Sequence, residues 1–138
     1  MTDRELVSMA EEAMSAAYAP YSGFKVGAAL TAHNGKGETR VFTGCNIENA
    51  SYSPTICAER AAAAEAVKNG FTHFEAIAVC GGKDGHIEDF CPPCGVCRQV
   101  LCEFGTDDAV LILWDGKKTY RCTFGEMLPL SFRKNKLL

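Results

Sequence analysis

The chain has 138 residues, with 14 Lys plus Arg against 17 Asp plus Glu and a net charge of −3. That length reads as one domain, 1–138, able to bury a core without disulfide staples. The acidic balance argues against a dedicated nucleic-acid binder, no apolar run approaches the ~20 residues that span a bilayer, and eight cysteines are too few for a secreted disulfide scaffold.

Thr2 and Glu5 have capping-box spacing, and Leu6, Ala10, Ala13 and Ala17 recur at helical spacing, which predicts a helix over 3–17 stopped by Pro20. Val26 to Ala32 is apolar on both alternating faces, as in a strand covered on both sides. Asn34-Gly35 and Gly37 form a turn, and Arg40 to Cys45 reads as the paired strand. Asn46 to Pro54 is a polar loop. A second helix is expected from Cys57 through the Ala61 to Ala64 run, stopped at Asn69-Gly70. Glu75 to Cys80 reads as a third strand and Gly81 to Pro93 as a loop. Cys94 to Phe104 reads as a third helix, ended by Gly105. Ala109 to Trp114 and Lys118 to Cys122 form a hairpin about Asp115-Gly116. Thr123 and Glu126 give a second capping box before a short last helix. The order αββαβαββα predicts helices packed on a mixed five-stranded sheet.

The cysteines stand at 45, 57, 80, 91, 94, 97, 102 and 122. The start, Met1-Thr2-Asp3-Arg4-Glu5, is charged and runs into Ala-rich amphipathic sequence, not into a signal-peptide apolar core. The expectation is a reducing, cytoplasmic compartment, where clustered cysteines serve as metal or redox groups. Cys94 and Cys97 put two sulfurs on one side of a first helical turn, and Cys57 opens another helix in the same way. Helix starts favour thiolate over thiol. Three converging thiolates leave one tetrahedral zinc position open, the catalytic arrangement; a structural zinc or a redox Cys-x-x-Cys are the alternatives. Cys91 is close by, but Pro92-Pro93 makes a closed four-cysteine site awkward.

Glu59 lies two residues after Cys57, where a carboxylate can take and return the proton of an activated water. Its plainer role is a first-turn acid favoured by the helix dipole. Three thiolates on Zn²⁺ leave one net negative charge, and Arg60 either offsets it or is a surface helix residue. The other cysteines read as small apolar packing residues, Cys91 being the exception by its position. His33, His73 and His86 sit near loops, away from any ligand position.

With these residues placed, the chain resembles the cytidine deaminases of the small, homotetrameric type. The resemblance is carried by Pro20-Tyr21-Ser22-Gly23-Phe24-Lys25-Val26-Gly27-Ala28-Ala29-Leu30, by Gly44-Cys45-Asn46-Ile47-Glu48-Asn49-Ala50-Ser51-Tyr52, by Cys57-Ala58-Glu59-Arg60, by Pro93-Cys94-Gly95-Val96-Cys97-Arg98-Gln99 and by Leu130-Ser131-Phe132. Polynucleotide-editing deaminases usually carry His-x-Glu in place of Cys57-Ala58-Glu59, and blasticidin-type deaminases lack the Asn46-Ile47-Glu48-Asn49 pattern in this form.

The resemblance implies a three-layer α/β/α sandwich, one Zn²⁺ per subunit on Cys57, Cys94 and Cys97, and Glu59 as the proton carrier. Activated water would attack C4 of cytidine or deoxycytidine; Glu59 would protonate N3 and then the amino group, which leaves as ammonia in pyrimidine salvage. It further implies Asn46 and Glu48 on the ribose hydroxyls, Phe24 as a wall of the pyrimidine pocket, and the Ala58 amide on the base carbonyl O2. Taken alone, Asn46 reads as a turn residue, Glu48 as a solvated loop charge and Phe24 as core. Phe132 resembles an aromatic residue lent to a neighbour's pocket, and Tyr52 a residue of the subunit contact. The partners implied are a nucleoside and three further copies of the chain, with no nucleic acid and no membrane. The tail Arg133-Lys134-Asn135-Lys136 departs from common members and reads as a solvated end.

Overall fold

The structure is a computed structural model that describes residues 1–137. Residue 138 of the expected domain lies outside the described residues. Helix α1 spans Asp3–Met14, capped by Thr2 through the expected box with Glu5. It ends before the expected Ala17. The Ser15 hydroxyl donates to the Glu12 carbonyl at 2.6 Å, and Tyr18 pairs its backbone with the loop at Asn46 and Glu48. The amides of Ser15, Ala16 and Ala17 donate to carbonyls three residues back, so the helix tightens into a turn before Tyr18 reaches that loop.

Strands β1 (Phe24–His33) and β2 (Thr39–Cys45) are antiparallel. After α2 (Ala58–Lys68), β3 (His73–Lys83) pairs antiparallel with β1, and after α3 (Gly95–Phe104), β4 (Gly105–Trp114) runs parallel to β3. Strand β5 (Thr119–Thr123) closes the sheet antiparallel to β4, and α4 (Phe124–Met127) starts on the Thr123–Glu126 capping box. The sheet order is β2-β1-β3-β4-β5, the mixed five-stranded sheet expected.

Two strands are longer than their sequence pattern suggests. Gly81, Gly82 and Lys83 pair with Val26, Lys25 and Phe24, so the ladder to β1 extends β3 into glycines that locally read as loop. Gly105 ends α3 and also starts β4, where a register shift between Phe74 and Ala76 absorbs the extra residues. His33 and His73 are ladder partners at the end of β1 and start of β3, beside the loops, and their rings stack at 4.6 Å.

Alternation along the central strands sends side chains to two cores. Leu30, Ile77, Val79, Leu111 and Leu113 meet Ala62, Ala66, Leu101 and Phe124 on one face. Ala29, Ala78, Cys80, Ile112 and Trp114 meet Leu6, Val7, Ala10 and Met14 of α1 on the other. This is the three-layer α/β/α sandwich. Each fully buried Leu or Ile contributes about 1.5–3 kcal/mol by leaving water. Gly44 lets α2 lie close on β2: a Cβ there would stand 2.4 Å from the Ala58 carbonyl oxygen and 2.6 Å from the Ala62 nitrogen. Among the described residues, no helix is long and apolar enough to cross a membrane.

Candidate active site

Cys57 and Cys94 are the N-cap residues of α2 and α3, one position before each helix, with extended backbones at φ −80° and −68°. Sequence spacing placed them inside the helices. They instead stand at the N-cap, where Cys94 caps its helix through its sulfur and Cys57 makes no side-chain cap bond. The Cys97 amide donates to Cys94 Sγ at 3.5 Å. The Sγ atoms of Cys57, Cys94 and Cys97 all lie within 4.8 Å of one another. Three thiolates on a tetrahedral zinc stand about 3.8 Å apart, so this trio fits a zinc ion and leaves one coordination position free.

Arg60 stands over the trio. Its Nη2 donates to Cys57 Sγ at 3.5 Å, and its Nε is buried without a partner. The hydrogen bond from Cys97, with help from Arg60, brings the Cys57 thiol down to about 5. Cys97 is pushed up by that same bond and by burial, so in the metal-free chain the shared proton stays on Cys97. Arg60 is thus a partner of the sulfurs rather than only a surface residue.

A cavity of about 270 Å³ opens in front of the sulfurs, lined among others by Phe24, Asn46, Glu48, Ala58 and Glu59. Glu59 is 4% exposed. Burial is the main force that pushes its carboxyl up to about 7, and the Cys57 charge adds to it. Ala58 is the first residue of α2, so its amide has no acceptor within the helix. Phe24 is 40% exposed on the wall of this cavity and is not a core residue.

Asn46 and Glu48 also have structural duties. The Asn46 side chain donates to the Phe24 carbonyl at 2.8 Å and accepts from the Val26 amide at 2.9 Å, which braces the start of β1. One N–H and one lone pair remain free for other partners. Glu48 Oε1 accepts from the Tyr21 and Ser22 amides at 3.0 and 3.1 Å, and Oε2 accepts from the Ser22 hydroxyl. Those bonds, Ser22 first, hold its carboxyl below its ordinary range. Glu48 is therefore an anchored carboxylate, not a loosely solvated one.

Tyr52 and Phe132 lie outside this cavity and are 91% and 61% exposed. Cys91 lines the cavity but is not one of the clustered sulfurs, and burial pushes its thiol up to about 11. Cys80 and Cys102 are buried, and Cys45 and Cys122 half-buried, as packing residues would be. Sequence reasoning assigned no role to Ser22, Val26, Thr55, Ile56 or Pro92, which complete the cavity wall. Ser22 stood within a quoted motif, but its grip on Glu48 spans 26 residues and carries no local signal.

The fold and cavity define an α/β/α protein with a zinc cradle built on two helix starts. Residues 1–113 match the model of the cytidine and deoxycytidylate deaminase zinc-binding region, and the chain belongs to that family. A cytidine deaminase of Sporosarcina psychrophila is 40% identical over 138 residues, covering 99% of this chain and 96% of the relative. A probable cytidine deaminase of Dictyostelium discoideum is 38% identical, over 96% of this chain and 84% of that one. The crystal structure of a cytidine deaminase from Burkholderia pseudomallei is 41% identical with a TM-score of 0.84, covering 96% of this chain and 100% of that one.

Proposed function

We propose that the chain hydrolyses cytidine and deoxycytidine to uridine and deoxyuridine with release of ammonia, as a pyrimidine-salvage enzyme of the cytoplasm. The observation that carries this reading is the buried Glu59 side chain sharing one cavity with Cys57 and Cys94 of the three-sulfur cradle. Zinc bound by Cys57, Cys94 and Cys97 supplies Lewis-acid chemistry that makes water nucleophilic at neutral pH.

The chain's own residues do the rest. Glu59, poised near neutrality, accepts a proton from the attacking water and delivers it to N3 of the base as C4 becomes tetrahedral. It then passes the second proton to the amino group, the C4–N bond breaks, and ammonia leaves. Water and cytidine thus yield uridine and ammonia with no redox step. The Ala58 amide donates to O2 and fixes which edge of the base faces Glu59. Phe24 walls the ring, and Asn46 and Glu48 receive the ribose hydroxyls. Arg60 offsets the negative charge of three thiolates. Tyr52 and Phe132 serve a neighbouring subunit in a homotetramer with shared sites, which their exposure supports.

The test is loss of the cytidine and deoxycytidine absorbance bands, with metal content measured on the same sample. One zinc per chain and turnover of both nucleosides are expected; zinc-loaded protein that leaves the cytidine band unchanged overturns the reading. Glu59→Gln should keep its zinc and lose roughly 10²–10⁴ in kcat/KM or more.

A further inference from the structure

We propose that Arg133 is a positioning residue: it clamps the segment after α4 onto α3, and so presents Phe132 to the neighbouring subunit. The proposal rests on the reading of Phe132 given above.

The basic tail is not a solvated end at its first residue. The Arg133 side chain is 21% exposed and uses all three guanidinium nitrogens. Nη1 donates to the Cys102 carbonyl at 2.9 Å and the Gly105 carbonyl at 2.6 Å. Nη2 donates to Asp107 Oδ1 at 2.9 Å, and Nε to Ser131 Oγ at 2.8 Å. Cys102 lies in the last turn of α3, whose carbonyls lack intrahelical donors and whose dipole favours a cation. A guanidinium reaching back from position 133 meets both demands. Lysine, with one compact donor group, cannot span the same fork.

Two further ties run from α3 to this segment. Arg98 Nη1 donates to the Met127 carbonyl and Gln99 Nε2 to the Phe132 carbonyl, both at 2.8 Å. Between the ties lies Leu130, fully exposed with a φ of 55°, a backbone region that leucine rarely adopts. Such a conformation persists where the surroundings over-determine it. The ties supply that constraint. They fix the backbone of Phe132 and leave the residue 61% exposed. Aromatic anchors that are held in place before contact lose less freedom on docking.

The test uses the assembled, zinc-loaded enzyme. Arg133→Ala and Arg133→Lys are compared with Phe132→Ala and the Phe132→Ala/Arg133→Ala double variant. Readouts are KM and kcat for cytidine and hydrogen exchange of the peptide covering 128–133. Arg133→Ala should raise KM roughly tenfold with kcat nearly unchanged, and speed exchange in that peptide. Arg133→Lys should recover only part of both. In the Phe132→Ala background, Arg133→Ala should raise KM no further. Wild-type KM and exchange in Arg133→Ala overturn the proposal, and so do multiplying effects in the double variant. If Phe132→Ala leaves KM unchanged, the shared-pocket reading falls, while faster exchange in Arg133→Ala would still establish the clamp. Should Arg133→Ala not fold, Asp107→Ala removes only the exposed acceptor; it should shift exchange and KM in the same directions, and no shift in either overturns the proposal.

Discussion

Glu59 shows how burial moves the proton affinity of a common residue. A first-turn glutamate is ordinary by sequence, and only the walls around it move its proton affinity. Because the folded carboxyl titrates at about 7 against 4.5 when free, the folded chain holds this proton more tightly than the unfolded chain. That contribution is complete below pH 4.5 and lost as pH rises through 7. Metal-free Glu59→Gln should therefore gain on metal-free wild type by about 3 kcal/mol between pH 4.5 and pH 8, measured by urea unfolding at both. Leu130 offers a second residue-scale prediction. Its left-handed backbone costs about 1–2 kcal/mol and its side chain touches only solvent, so Leu130→Gly should be stabilising by about 0.5–1 kcal/mol in a thermal melt, after the extra freedom of unfolded glycine is counted. The residue types of the site were legible in the chain because zinc chemistry demands them at short spacing. Their charge states were not, because burial is set by residues far away in sequence.

At the level of elements, the site depends on where two helices begin. Cys57 and Cys94 occupy equivalent N-cap positions, so the starts of α2 and α3 are the positional reference for the sulfurs. Gly44 sets the depth of α2. Gly44→Ala would force its Cβ into the Ala58 carbonyl, which lies directly before Glu59. A loss of about 1–3 kcal/mol in stability is expected, together with lower zinc content per chain by metal analysis. The capping boxes at Thr2 and Thr123 were readable from spacing and form as expected. The end of α1 and the length of β3 were not. The helix stops at Met14, and Tyr18 beyond it is held by two backbone hydrogen bonds to Asn46 and Glu48, while the glycines of β3 are straightened by β1. Local propensity is a weak force beside a ladder with a partner already in place.

At the scale of the whole molecule, the exposed aromatic rings of Tyr52 and Phe132 suit contacts with further copies. With shared pockets, Glu59→Gln and Phe132→Ala damage different parts of one site. Mixing the two impaired variants after dissociation and reassembly, assayed with cytidine well below the wild-type KM, should restore activity above either alone, because some hybrid pockets then carry an intact glutamate and an intact phenylalanine. Activity equal to the average of the separate samples would instead place each pocket wholly within one subunit. The anchoring of Arg133 to α3 belongs to this scale too, since it ties the chain's last segment to the helix that follows Cys94.

The amino-acid sequence by itself determined the layered order of elements, the three sulfurs and the neighbouring Glu59 and Arg60. These features rest on short-range spacing, where helical and strand periodicity and ligand chemistry act directly. Tertiary structure alone decided that Asn46 braces β1, that Ser22 secures Glu48, that Phe24 faces a cavity and that Arg133 is a clamp. Each of those depends on a contact between segments 20 or more residues apart, or on exposure created by packing, and such contacts acquire their energy only when the sheet has brought the segments together.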